Sequence, residues 1–214
     1  MYDTYIFDLD GTLLDTLDDL TTATNYALHS CGLPVHSRDD VRSFVGNGVR
    51  RLMERAVPGG NSHPLFEHIL DTFRQYYLEH SLDRTRPYDG IPALLTTLRQ
   101  QGRHVAVVSN KFCTATQELC HHFFADTVEV AIGENEAEGI RKKPAPDTVI
   151  EALRQLGSAS GRSVYVGDSD VDLLTAHNAG LPCISVLWGF RDRDFLLANG
   201  ATTLVGSPAD ILAL

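Results

Sequence analysis

Lysine and arginine are in short supply in this chain: 18 of them stand against 28 aspartates and glutamates, a formal net charge of −10 over 214 residues. That balance speaks against a nucleic-acid backbone or an anionic membrane as a standing partner. It also means that an anionic substrate needs cations gathered locally to receive it. Long apolar runs are missing too, since none approaches the roughly 20 residues of a membrane-spanning helix. Met1 leads straight into a first strand, so the expected location is the cytoplasm. Cysteine is sparse: Cys31, Cys113, Cys120 and Cys183 lie far apart with no CxxC pair. They are read as reduced packing residues, and no set of neighbours completes a zinc site. There is no repeat and no low-complexity tract. What is left is a chain long enough for a substantial core, either one large domain or one domain with an insertion.

Four short segments rich in Val, Ile or aromatic residues read as buried strands: "YIFDL" from Tyr5, "HVAVVS" from His104, "SVYVGD" from Ser163 and "CISVLWG" from Cys183. "TVEVAIG" from Thr127 and "ATTLVG" from Ala201 are weaker candidates. Helical spacing alternates with them, at 91–101, 115–123, 147–156, 172–178 and 207–214. That alternation predicts an α/β fold with a Rossmann-like parallel sheet covered on both faces. The stretch from Asp15 to about Arg84 breaks the rhythm: "TLDDLTTATNYALHSCGL", "VRRLMERAV" and "PLFEHILDTFRQYYLEHSL" carry helical spacing, and no strand signal separates them. About seventy residues exceed a simple crossover. The expected organisation is therefore a core of 1–15 and 85–214 with a small helical insert of 16–84.

Ligands of open parallel sheets bind at the carboxyl ends of the strands, so the residues there carry the chemistry. The first strand delivers Asp8, Asp10, Gly11 and Thr12, and the second Ser109, Asn110 and Lys111. Lys142 and Lys143 precede Pro144, and Asp168, Ser169, Asp170 and Asp172 follow "SVYVG". Two carboxylates crowded at one strand end repel each other unless a cation lies between them. Mg²⁺ prefers carboxylate, water and phosphate oxygens, and Asp8 with Asp168 would supply the carboxylates. A carboxylate also attacks phosphorus, a second one moves the proton, and a hydroxyl with a lysine offsets the phosphoryl charge. Simpler readings exist for single residues: aspartates favour helix N-termini, Ser109-Asn110 suits a cap, and Trp188 reads as packing near the sheet edge. His121-His122 reads as helix surface.

Taken in order, "DLDGTLLD", "VVSN", "KKPAPD" and "GDSDVD" resemble the four motifs of the haloacid dehalogenase superfamily, over nearly the whole chain. The resemblance implies that Asp8 is the nucleophile and Asp10 the general acid/base, with the Asp10 carbonyl also on the metal. It implies that Ser109 binds phosphate, Lys143 neutralises charge, Asp168 binds Mg²⁺ and Asp172 is a supporting acid. Gly11, Thr12 and Asn110 are then phosphate-binding candidates. Aspartate at position 10 is similar to the phosphatases and mutases of that superfamily, and the helical insert to its small cap domain. "FVGNGVRRLMERAV" from Phe44 resembles the cap of the phosphoglycolate phosphatases, making Gly46 and Asn47 candidate substrate contacts or, equally, a plain turn. Arg50 and Arg51 could meet a substrate carboxylate there, although on an amphipathic helix one of the two is expected to be simply exposed. "KKPAPD" is a form shared with sugar-phosphate mutases. The implied function is a Mg²⁺-dependent phosphatase of a small phosphate ester, best matched by 2-phosphoglycolate, in a monomer or homodimer. A phosphosugar mutase, a pyrophosphatase or nucleotidase, and a non-catalytic module are the alternatives.

Overall fold

The computed structural model describes residues 2–136 and 139–214. Strand β1 (Thr4–Phe7) leads to a short β2 (Leu14–Asp15), then to helices α1 (Leu17–Ser30), α2 (Arg38–Phe44), α3 (Val49–Ala56) and α4 (Phe66–His80). A short β3 (Arg86–Pro87) pairs with β2. Beyond it helix and strand alternate: α5 (Ile91–Gln100), β4 (His104–Phe112), α6 (Cys113–Phe124), β5 (Val130–Glu134), α7 (Asp147–Leu156) and β6 (Ser163–Gly167). The run closes with α8 (Asp170–Ala179), β7 (Cys183–Val186), α9 (Arg193–Ala198), β8 (Thr203–Val205) and α10 (Pro208–Ile211). The chain divides into two compact units, Met1–Leu14 with Pro87–Leu214, and Asp15–Arg86.

In the first unit the alternation produces the parallel sheet that it predicts. The strand order is β5-β4-β1-β6-β7-β8, with every neighbour parallel. β1 is buried along its whole length, because it is apolar on both faces and paired on both edges. One face of the sheet sets Ile6, Ala106, Val108, Ile132 and Tyr165 against Val149, Ala152 and Leu153 of α7 and Ala176 of α8. Each large aliphatic side chain buried there is worth roughly 1.5–3 kcal/mol. The chain leaves β1 for β4 on one side and returns through β6 on the other. The carboxyl ends of these three strands therefore form the crevice at the switch in strand order.

The second unit is held by α1 and α4, whose apolar residues recur at helical spacing and pack together. Leu20, Ala23, Ala27 and Leu28 are buried on α1, and Phe66, Ile69, Leu70, Phe73 and Tyr77 on α4. Asp19 is buried among them, where its carboxylate accepts the N–H groups of Arg84 (3.1 and 3.0 Å) and Thr85 (2.8 Å) and the Thr85 hydroxyl (2.8 Å). It thus ties the first turn of α1 to the segment that leaves the unit. Arg50 and Arg51 each hold a glutamate, Arg50 bidentately to Glu67 at 2.8 and 2.9 Å and Arg51 to Glu54 at 2.7 Å. Periodicity does not reveal α2, because only Val41 of its seven residues is buried. Its sign is the capping box in which Ser37 and Asp40 exchange side-chain and backbone bonds.

Candidate active site

β1 stops because the chain turns tightly at Leu9, whose carbonyl accepts the N–H groups of Thr12, Leu13 and Leu14. Just before that turn, the Asp8 N–H still bonds to the Val166 carbonyl at 2.9 Å, which carries Asp8 one residue past the strand. Gly11 sits at φ +84°, and a Cβ there would strike the Asp168 carboxylate. Two more glycines are dictated by crowding. A Cβ at Gly167 would collide with Asp172, and one at Gly189 with Asp168. The three glycines let backbone close around two carboxylates.

At the end of β4 the pairing register slips. Val108 lies level with Ile132 and Phe112 with Glu134, so Ser109, Asn110 and Lys111 together face Gly133 alone. Such a bulge re-aims side chains and is common beside active sites. All three residues are buried. The Lys111 N–H donates to Ser109 Oγ at 3.2 Å, and its ammonium stands 3.1 Å from Asp10 Oδ1. Asn110 clamps the Lys143 peptide from both sides, donating to its carbonyl at 3.0 Å and accepting its N–H at 2.8 Å. The side chain expected on phosphate thus also fixes the backbone that presents Lys143.

Lys143 is the hub. Its ammonium lies 2.8 Å from Asp8 Oδ1, 2.9 Å from Asp172 Oδ1 and 3.1 Å from the Tyr165 hydroxyl, three partners for three N–H donors. Tyr165 in turn donates to Asp172 Oδ1 at 2.9 Å. The other Asp172 oxygen accepts from the Ser169 hydroxyl (2.6 Å) and from the N–H groups of Ser169 and Asp168. Asp172 and Ser169 form the capping box of α8. Asp172 therefore starts the helix and anchors the lysine at once, uniting the two readings of that residue. Lys142 stays at the surface near Glu136, 3.7 Å away.

One carboxylate oxygen from each of Asp8, Asp168 and Asp172 lies within 4.8 Å of the other two. Burial, joined by the Asp172 and Asp168 charges and opposed by Lys143, pushes the Asp8 carboxyl well above the usual range. Burial and Asp172 lift Asp168 to about 7, against the Phe190 N–H bond and the charges of Arg191 and Lys143. Burial works against the Lys143 charge, yet Asp172 and Asp8 outweigh it and hold the ammonium protonated. Three carboxylates against one ammonium leave two negative charges uncompensated, which matches one divalent cation. Both Asp172 oxygens are taken. Asp8 Oδ2 carries no hydrogen bond among the described residues, and Asp168 Oδ1 receives only a long 3.4 Å bond from Thr12. The hard oxygens of Asp8 and Asp168 fit Mg²⁺.

The structure thus brings together Asp8, Asp10, Gly11, Thr12, Ser109, Asn110, Lys143, Asp168 and Asp172. Gly46 and Asn47 lie in the second unit, on the turn before α3, with φ of 121° at Gly46 and 83° at Gly48. Sequence reasoning missed several contributors. Lys111 is named at the strand end by the sequence, but its pairing with Asp10 is not. The strand pattern hides Tyr165 as one apolar core position among many. The loop after β7 is the largest omission: Phe190 N–H donates to Asp168 Oδ2 at 2.7 Å, and the Trp188 indole donates to the Thr12 carbonyl at 3.0 Å. Trp188 therefore ties that loop to the turn after β1 as well as packing.

Carboxylates, a hydroxyl, an amide and lysines gathered at the switch point of a parallel sheet equip this chain for phosphoryl chemistry. Residues 5–186 match the family model of the haloacid dehalogenase-like hydrolases, and the chain belongs to that family. Among its relatives, phosphoglycolate phosphatase of Aquifex aeolicus is 33% identical over 185 residues, covering 86% of this chain and 84% of that one. N-acetylmuramic acid 6-phosphate phosphatase of Pseudomonas aeruginosa is 30% identical over 209 residues, covering 97% and 92%. A solved structure from Lactobacillus delbrueckii superposes with a TM-score of 0.93 at 37% identity, covering 98% of this chain and 96% of the other. CbbY from Rhodobacter sphaeroides, solved in complex with phosphate, has a TM-score of 0.80 at 25% identity, covering 99% and 97%.

Proposed function

We propose that this phosphatase hydrolyses a small phosphomonoester, with 2-phosphoglycolate the leading substrate, through a phosphoryl group held transiently on Asp8. One observation carries the reading: Asp8 is buried with Oδ1 pinned by Lys143 and the Leu9 N–H, while Oδ2 accepts no hydrogen bond among the described residues. A carboxylate fixed at one oxygen and open at the other is poised to attack. The substrate assignment draws on relatives named for phosphoglycolate.

In the first step the Asp8 carboxylate bonds to phosphorus as the ester P–O bond breaks, and Asp10 gives its proton to the departing oxygen. In the second, Asp10 takes a proton from water as the water oxygen bonds to phosphorus and the Asp8–phosphorus bond breaks. Lys143, the Ser109 hydroxyl and the Asn110 amide hold the phosphoryl oxygens and offset their charge, with the Gly11–Thr12 turn beside them. Mg²⁺ bound by Asp8, Asp168 and the Asp10 carbonyl would supply further charge neutralisation. By its resemblance the helical unit would act as a cap, with Gly46 and Asn47 as candidate determinants of substrate choice.

Phosphate release from phosphoglycolate, pyrophosphate, nucleoside monophosphates and hexose phosphates, with Mg²⁺ and with EDTA, tests this reading. Metal-dependent release greatest on phosphoglycolate is expected. Greatest release from a hexose 6-phosphate keeps the mechanism and replaces the substrate, in line with the Pseudomonas relative. A phosphoryl group returned to a sugar hydroxyl marks a mutase, and no release from any ester overturns the proposal.

A further inference from the structure

Two buried lysines serve this site, and the mechanism above uses only one of them. Lys111 is 4% exposed, and its ammonium stands 3.1 Å from Asp10 Oδ1, with side-chain exposures of 2% for the lysine and 14% for the aspartate. A buried ammonium is costly unless it is paired, so a lysine at this depth calls for a reason. Its backbone is fixed on both sides. The N–H donates to Ser109 Oγ, and the carbonyl accepts the Thr116 hydroxyl of α6 at 3.3 Å. The absence of a side chain at Gly133 leaves room for that carbonyl, which a Cβ there would crowd. The bulge in β4 therefore delivers Lys111 to a set place.

We infer that Lys111 is a positioning residue for Asp10, holding the carboxyl where it meets the oxygen that leaves phosphorus. The inference rests on the reading of Asp10 as the group that moves the proton. The two lysines then divide the work by aspartate. Lys143 fixes Asp8, which forms the bond to phosphorus, and Lys111 fixes Asp10, which supplies the proton as the P–O bond breaks. Only the second task depends on the leaving group. An alkyl ester oxygen needs a proton in order to depart, whereas p-nitrophenolate leaves without one.

The experiment compares kcat/KM, which reports through the first irreversible step, on an alkyl phosphate and on p-nitrophenyl phosphate, for Lys111→Met, Lys111→Arg and Asp10→Asn. Lys111→Met is expected to lose at least about tenfold on the alkyl ester and less than about threefold on p-nitrophenyl phosphate, a part of the full general-acid effect. Lys111→Arg, which keeps a cation, should recover most of the loss. Equal losses on both esters, or no loss on either, overturn the role for Lys111. If Lys111→Met does not fold, Lys111→Gln carries the same comparison with the same criteria. Asp10→Asn separates the two ideas. If it shows no dependence on the leaving group, the reading of Asp10 itself fails; if it does and Lys111→Met does not, only the inference about Lys111 fails.

Discussion

Both units of this molecule bury aspartates, and they treat them in opposite ways. In the helical unit, Asp19 is 4% exposed and accepts four bonds from Arg84 and Thr85. In the sheet unit, Asp8 and Asp168 crowd Asp172, and their carboxyls are pushed upward by burial and by like charge. A carboxylate whose oxygens are filled by backbone donors is spent on structure. One that is held at a single oxygen, amid uncompensated negative charge, is kept for a ligand. Burial and residue type are the same in the two places; what differs is whether the surrounding donors have been matched to the charge.

The contrast is tested most severely by removing the carboxylate at both places. Asp8→Asn should abolish turnover while thermal unfolding stays unchanged or moves upward, since a repelled charge has been removed. Substantial remaining activity would strip Asp8 of its role. Asp10→Asn should slow hydrolysis of an alkyl ester by roughly 10²–10⁴, read from steady-state rates with Mg²⁺ saturating. An unaltered rate would give the proton to another group. Asp19→Ala should do the reverse of Asp8→Asn, destabilising the fold by about 1–3 kcal/mol for the donors left unmet. Calorimetry and the rate per folded molecule separate the two effects. A large drop in kcat with no change in melting temperature would blur the distinction between the units.

The smallest expected effect is a pH dependence. Asp168 titrates near 7 in the folded metal-free protein, against about 3.9 for an unperturbed carboxyl. A raised carboxyl pKa means that the folded state holds a proton which the unfolded state has lost. Metal-free protein should therefore gain stability as pH falls from about 8 through 7. Mg²⁺ competes with that proton, so saturating metal should flatten the trend. A melting temperature that falls over the same range without metal would contradict the electrostatic account.

Much of this fold is legible in the sequence because it rests on short apolar strands separated by helical spacing. The parallel sheet, its carboxyl-end crevice and the helical stretch between the first two long strands all follow from period and length. α2 is not legible that way, since a helix with one buried residue has almost no apolar face to detect. In the site, the aspartates and Lys143 stand out because charged residues at the ends of apolar runs are conspicuous. Lys111 is charged as well, but its partner Asp10 is 101 positions away, and the bulge that places it has no signature in composition. Tyr165 and Phe190 contribute through a hydroxyl in the core and a backbone N–H, neither of which a hydropathy pattern marks. The pair of hydrogen bonds between Asn110 and the Lys143 backbone requires two distant segments to be adjacent, which only the folded chain discloses.

The proposed reaction turns on Asp8 carrying the phosphoryl group. The most direct measurement mixes the Asp10→Asn variant with Mg²⁺ and substrate, quenches the mixture in acid, and maps any phosphorylated peptide by mass spectrometry. With the proton-moving group removed, the second step is slowed and the modified enzyme should accumulate, most readily from p-nitrophenyl phosphate. The account predicts phosphate on the peptide containing Asp8 and none when Asp8 is also replaced by asparagine. Phosphate on another residue, or turnover with no trapped phosphoenzyme at any quench time, would contradict it.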